Sequence, residues 1–192
     1  MVPLGPRCWR IPVAWVLTLA LGACATQQTA APERAHSGRF VATAMQGDQR
    51  SSFSGRFTIE VRADQQLVEL ASPIGTTMAR VEISPGRATA TGPQMQTETG
   101  PDPDALLTRL FGWRLPVRGL ADWIDGRPDP ARPARVERDG DRITRIEQDG
   151  WTIRIAEVFP ASSRPRLLLM DRPPSAGDPA VSVRLVVDDP AS

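Results

Sequence analysis

Few side chains in this sequence are equipped for covalent or proton-transfer chemistry. Cysteine occurs twice, at Cys8 and Cys24, and histidine once, at His36. So sparse a set cannot assemble a Cys/His metal cluster. The chain holds no Gly-x-Ser-x-Gly elbow and no glycine-rich phosphate loop. Its carboxylates are scattered, without the spacing of an acid/base pair. Asp122 and Asp125 flank Trp123-Ile124 and read as the polar side of a helix. His36 lies in a polar stretch near the start and reads as a solvated linker residue. No enzyme activity, cofactor or metal is expected. The thiol of Cys24 stands apart, because Leu21-Gly22-Ala23 immediately before it offer small residues at a place where a protease could cut.

The context of Cys24 sharpens that reading. Arg7 and Arg10 precede an apolar run, Ile11–Leu21, that is too short to span a bilayer core. A positive segment followed by a short apolar one is the pattern of a signal peptide. Its ending, Leu21-Gly22-Ala23-Cys24, resembles the lipobox of bacterial lipoproteins, in which the cysteine thiol accepts diacylglycerol. The alternative is an ordinary secretory peptide with an incidental cysteine. On the lipobox reading, residues 1–23 are a lipoprotein signal peptide and Cys24 is the lipidated residue. Residues 24–36 are then the lipidated N-terminus and tether, polar and proline-containing from Ala25 to Ala35, and residues 37–192 form a single domain. Ala25 follows the cysteine where an Asp commonly retains lipoproteins in the inner membrane, so resemblance to sorted lipoproteins implies the outer membrane.

Composition sets further bounds. Apolar residues make up 41% of the chain, enough for a globular core. All 23 basic residues are arginine. Loss of Arg7 and Arg10 with the signal peptide takes the formal charge from +1 to −1, which leaves no net basic field to attract nucleic acid. Once Cys8 is removed and Cys24 lipidated, no disulfide is possible.

The periodicity is mostly that of strands. Phe57, Ile59 and Val61 alternate with Thr58, Glu60 and Arg62, the mark of a strand with one buried face. Similar runs are expected at Gln66–Ala71, Thr77–Ser84 and Arg87–Thr91, with Gln94–Thr99 pairing back. Ser72-Pro73-Ile74-Gly75 and Pro85-Gly86 punctuate them. Two similar pieces, Ser37-Gly38-Arg39-Phe40 and Ser54-Gly55-Arg56-Phe57, arise by chance or from two alike edge-of-barrel strands. At Asp102 the pattern changes. Leu106, Leu107, Leu110 and Phe111 form the stripe of a short helix that begins with acids and stops at Gly112. Val117, Leu120, Trp123 and Ile124 mark a second, so helices are expected near 103–111 and 118–125. Arg127–Pro133 reads as a loop. Strands return at Arg142–Gln148, Trp151–Val158, Arg166–Met170 and Val181–Val187. Many even strands with two inserted helices predict a curved antiparallel sheet closing on itself, the helices covering one end or lining its mouth.

Three stretches carry a family resemblance: Leu70-Ala-Ser-Pro-Ile-Gly75, the long run Leu110–Arg127 (LFGWRLPVRGLADWIDGR), and Gln148-Asp-Gly-Trp151. Together with the lipobox they resemble the LolB family, the outer-membrane lipoprotein receptors of the lipoprotein localisation pathway. The resemblance implies a mainly β fold with short helices, an incomplete antiparallel β-barrel enclosing a hydrophobic cavity. It also implies a function: receiving lipoproteins from a soluble periplasmic carrier (LolA-like) and inserting them into the outer membrane. Partners would be that carrier, acylated lipoprotein clients and outer-membrane lipid, and the protein is expected to be a lipid-anchored monomer facing the periplasm. The rival reading is an outer-membrane lipoprotein with a structural or protein-binding role and no lipid transfer.

An acyl-binding barrel needs apolar side chains on its inner faces. The candidates are Phe57, Ile59, Leu70, Met78, Val81, Ile83, Leu107, Leu110, Phe111, Trp113, Leu115, Leu120, Trp123 and Ile153, each of which could equally be packed core. Gly112, Pro116 and Gly119 are expected to shape the helix connections rather than touch ligand. Pro73, Ile74 and Gly75 form a hairpin tip in which Ile74 is apolar where most loop residues are polar. The resemblance gives such a residue a part in membrane delivery; otherwise Ile74 folds back onto the core.

Overall fold

The computed structural model describes residues 31–93, 95–175 and 177–189. The signal peptide, Cys24 and most of the tether lie outside the described residues. Six strands come first: β1 (Arg34–Gln46), β2 (Gln49–Arg62), β3 (Gln65–Ala71), β4 (Thr77–Ser84), β5 (Arg87–Gly92) and β6 (Met95–Gly100). Two helices follow, α1 (Pro103–Phe111) and α2 (Leu120–Ile124). Among the described residues five more strands follow: β7 (Ala134–Asp139), β8 (Arg142–Gln148), β9 (Trp151–Val158), β10 (Pro165–Arg172) and β11 (Ala180–Val187).

All eleven strands belong to one sheet, in the order β6-β5-β4-β3-β2-β1-β11-β10-β9-β8-β7. Every neighbouring pair is antiparallel. The edge strands β6 and β7 are consecutive in sequence yet do not pair. The chain between them contains both helices; α1 packs against β5 and β6, and α2 against β10. One core cluster joins Ala88 and Ala90 of β5, Ile146 of β8, and Leu106, Leu107 and Trp123 of the helices. A sheet whose distant strands share one core must curl around it, as the expected incomplete barrel requires. Register shifts in the β3–β4, β5–β6, β7–β8 and β9–β10 pairs help it bend. Among the described residues, every member of the buried hydrophobic core lies between Phe40 and Val187, so residues 37 onward carry a core of their own.

The alternation read from the sequence is the burial pattern. Phe57, Ile59 and Val61 are buried while Arg56 and Thr58 are exposed. β11 buries Val181, Val183, Leu185 and Val187 on the same inner face. Asp102 caps α1 by accepting from the backbone N–H groups of Asp104 (2.9 Å) and Ala105 (3.2 Å). Gly112 ends it in the left-handed region at φ 79°, its N–H bonded to the Thr108 carbonyl at 2.8 Å.

Two expectations are corrected here. β1 begins at Arg34, ahead of the expected domain start at residue 37, so residues 34–36 are not tether. His36 is 6% exposed rather than solvated. The reason for both is the acidic end of α2. Arg34 Nη1 lies 2.8 Å from Asp122 and 2.9 Å from Asp125, which docks the first turn of chain onto the helix. A further strand, β7, begins directly after the proline-rich loop. Its residues are exposed, so no buried alternation marked it in the sequence.

The repeated Ser-Gly-Arg-Phe pieces are paired with each other. In the β1–β2 ladder Gly38 stands opposite Phe57 and Phe40 opposite Gly55. A Cβ at Gly38 would come within 2.6 Å of the Phe57 ring, and one at Gly55 within 3.3 Å of Phe40. Each glycine therefore makes room for the phenylalanine across the ladder, and both rings turn into the barrel.

Candidate functional site

The two rings form the floor of a small apolar pocket. Phe40, Phe57, Val68 and Leu70 come from β1–β3, and Met170, Val183 and Leu185 from β10 and β11. Leu115, Pro116, Val117 and Leu120, from the α1–α2 connection and the start of α2, cover it. Every lining side chain is apolar. The cavity measures about 40 Å³, room for roughly three water-sized spheres by the volume one water requires. An acyl chain does not fit unless the cover moves.

The cover and the helix behind it are held differently. Around Val117 the chain is held by the burial of Leu115, Val117 and Leu120, by the ion pairs Arg118–Asp102 (2.5 Å) and Arg114–Asp178 (3.0 Å), and by hydrogen bonds. The Val117 carbonyl accepts from Gln66 Nε2 at 2.9 Å, and the N–H groups of Val117 and Arg118 each donate to Asp104 Oδ1 at 3.3 Å. Burial pushes the Asp104 carboxyl above the usual range, with the charge of Arg118 opposing. α2 is pinned from within the core. Trp123 is buried, and its indole N–H donates to Gln148 Oε1 at 2.8 Å. The same oxygen accepts from Asp129 N–H at 3.0 Å, while Gln148 Nε2 donates to the carbonyls of Asp129 and Arg132, each at 3.0 Å. Gln148 thus uses both donors and its oxygen fully inside the core. Gly119 is required next to it, since a Cβ there would stand 2.7 Å from the Trp123 ring.

A charged cluster clamps the far side of α2. Arg127 reaches Asp122 at 3.0 Å and Asp125 at 3.1 Å, and Arg164 reaches Asp125 at 3.5 Å. His36 sits within this cluster. Its Nδ1 accepts from Arg164 at 3.3 Å, and its Nε2 lies 3.3 Å from Asp125 Oδ1. Burial pushes its pKa down. Asp125 opposes the shift, whereas Arg164, Arg34 and Arg127 add to it.

Of the expected cavity residues, Phe57, Leu70, Leu115 and Leu120 line the pocket. Ile59, Val81, Leu107, Trp123 and Ile153 are core beneath or beside it, and Trp113 is buried nearby. Leu110, Phe111 and Ile83 pack partly buried against that core. Met78 is half-buried at the register shift where β4 leaves β3. Pro116, expected only to shape a connection, is itself part of the cover. Phe40, Val68, Val117, Met170, Val183 and Leu185 line the pocket outside the expected set, the last three because β10 and β11 come round to β1. Arg34, His36 and Gln148 were not assigned their clamping roles, because their partners are distant in sequence.

The Pro73-Ile74-Gly75 tip projects. Ile74 is 91% exposed. The loop's shape does not depend on that side chain. Ser72 N–H bonds the Thr76 carbonyl at 2.8 Å, Gly75 N–H bonds the Ser72 carbonyl at 2.9 Å, and Gly75 adopts φ 91°.

The fold and pocket can now be set beside known proteins. The family model described as "Outer membrane lipoprotein LolB" matches residues 33–189. The chain belongs to the LolB family. An outer-membrane lipoprotein LolB from Ralstonia nicotianae is 38% identical over 172 residues, covering 85% of this chain and 82% of the relative. The LolB of Thiobacillus denitrificans is 37% identical over 187 residues, covering 93% and 96%. Among solved structures, a LolA superfamily protein from Nitrosomonas europaea aligns with a TM-score of 0.46 at 12% identity, covering 82% of this chain and 86% of that one. As a LolB-family member this protein is an outer-membrane lipoprotein facing the periplasm, and its general function is that of a membrane lipoprotein receptor.

Proposed function

We propose that this protein takes acylated lipoproteins from a LolA-like periplasmic carrier by binding their acyl chains beneath the Leu115–Leu120 cover, and inserts them into the outer membrane. The observation that carries this reading is the wholly apolar pocket under a connecting segment, Leu115–Gly119, that belongs to neither helix nor strand. Freeing Val117 and Arg118 from Gln66 and Asp104 costs about 0.5–1.5 kcal/mol per hydrogen bond. Each methylene that enters returns roughly 0.8 kcal/mol, so about two to six methylenes offset these three bonds. The rigid frame behind the cover, Trp123 on Gln148 and Arg34 on Asp122 and Asp125, stays in place while the cover shifts. No covalent step is needed. Binding is apolar and sequence-tolerant, and the client leaves when the bilayer offers its chains a larger apolar volume. Cys24 supplies the anchor, and Ile74 makes the apolar contact with the bilayer at release.

The test is transfer. The domain from Ala25 onward is mixed with carrier loaded with a lipidated client and then recovered. Acquisition of the client, competed by a fluorescent fatty acyl probe, is expected. A folded domain that takes neither client nor probe refutes the proposal and favours a structural role.

A further inference from the structure

β2 carries a free edge beside the pocket. The β1–β2 ladder is continuous from Arg34↔Val61 to Gln46↔Gln49, but β3 pairs with β2 only from Arg56 to Arg62. Among the described residues, the stretch Gln49–Gly55 is therefore paired on one side only. Gly55 marks the boundary, since a Cβ there would stand 2.1 Å from the Ala71 carbonyl oxygen, where β3 ends.

Open edges are ordinarily defended by charge, proline, bulges or a covering element. The edge strand β7 is short and carries Arg135, Glu137, Arg138 and Asp139, and β6 lies against α1. Among the described residues, the free part of β2 has none of these defences beyond Arg50. Its ladder with β1 runs without a bulge, and Gln49, Ser51, Ser52 and Ser54 are exposed and small or neutral. Alternate residues of such a strand present N–H and C=O groups outward.

Its location names the occupant. Phe53 lies in this stretch, its ring 5.1 Å from Phe40, which lines the pocket, and 6.1 Å from Phe111 at the end of α1. An acyl chain that reaches the pocket past Phe53 leaves the backbone to which it is attached lying along β2. The Ile74 loop springs from the end of β3 next to the same edge.

We infer that Gln49–Ser54 is a strand-addition site for the extended polypeptide that directly follows a client's acylated N-terminal residue. Main-chain pairing reads backbone and tolerates any side chains, as a receptor for clients of unlike sequence requires. This rests on the acyl-binding reading above and adds a peptide subsite to it.

The test uses the domain from Ala25 onward, whose core, among the described residues, lies within Phe40–Val187. Three probes are compared: triacylated cysteine alone, the same group followed by an eight-residue Ser/Asn/Gly peptide, and that peptide N-methylated at alternate amides in each of the two phases. Hydrogen exchange at Gln49–Ser54 is followed with each. The unmodified lipopeptide is expected to protect alternate amides there, and triacylated cysteine is not. N-methylation in one phase is expected to weaken binding about tenfold, the loss of some two ladder hydrogen bonds, while the other phase leaves it unchanged. If both methylated forms bind like the parent and Gln49–Ser54 gains no protection, the strand-addition site is refuted while acyl binding stands. If triacylated cysteine itself fails to bind, the acyl-binding reading falls and this inference with it.

Discussion

Replacing Ile74 with Glu should separate receiving a client from releasing it. The side chain is 91% exposed and makes no packing contact that the loop needs. Ser72, Gly75 and Thr76 hold the turn through main-chain bonds and a Thr76 N–H to Ser72 Oγ bond of 3.1 Å. The substitution should therefore change folding stability by no more than about 0.5 kcal/mol, the usual range for surface positions. Its effect on a membrane contact is larger. Full burial of an isoleucine is worth about 1.5–3 kcal/mol, and losing it slows a step that depends on it by roughly 10- to 150-fold. Insertion of a carboxylate adds a desolvation cost, so the true effect lies at or above that range. The assay loads the wild-type domain and the Ile74→Glu variant with a fluorescent acylated client, adds liposomes, and follows client partitioning beside thermal melts of both. Equal loading, equal melting and release slowed at least into that range are expected. A folded variant that releases client at the wild-type rate refutes the membrane-contact reasoning. A large fall in melting temperature refutes the claim that the loop is independent of this side chain.

Three further outcomes follow from the structure. Gln148→Leu leaves the Trp123 indole N–H and the Asp129 main chain without partners, at about 1–3 kcal/mol per buried group; a drop in melting temperature of several degrees by calorimetry is expected. His36 has its folded pKa pushed below its ordinary 6.5, so the unfolded chain binds the extra proton first. Stability should be complete above that value and fall as pH drops below it, toward the folded pKa; His36→Gln should flatten this part of the profile in urea titrations at pH 7 and pH 5. Cys24→Ala should abolish lipid attachment, seen by mass spectrometry as loss of the diacylglyceryl modification and by fractionation as loss from the outer membrane.

What the sequence disclosed, and what it withheld, divides by the range of the interaction. Period-two alternation located β2 through β5, because one face of each strand is buried and the other wet. The caps at Asp102 and Gly112 located α1, because capping is local chemistry. β7 was invisible for the same reason: an exposed edge strand has no buried face to alternate. The pocket was half legible. Phe57 and Leu70 could be assigned to the inner face from parity, whereas Met170 and Leu185 line the pocket only because β10 and β11 come round to β1. His36 looked solvated because its neighbours in sequence are polar. The groups that bury it, Asp125 and Arg164, arrive from α2 and the start of β10. The Ser-Gly-Arg-Phe repeat was visible as a repeat, but its use needed the register that sets each glycine opposite the other piece's phenylalanine.

Register also constrains how the domain meets the membrane. β1 starts at Arg34 opposite Val61, while the end of β3 that carries the Ile74 loop lies at the level of Arg56. Along β2 those levels are separated by roughly 17 Å at the rise of an antiparallel strand. With Cys24 as the anchor, the segment from there to Arg34 spans at most about 35 Å when fully extended. That reach is about twice the separation of the two levels. On the proposed reading, the anchor and the Ile74 tip must reach the bilayer together. If Ile74 meets the bilayer as proposed, shortening this segment should weaken delivery. On that reading the length of the segment before Arg34 bears on delivery, and Arg34, by binding Asp122 and Asp125, sets where the segment begins to count.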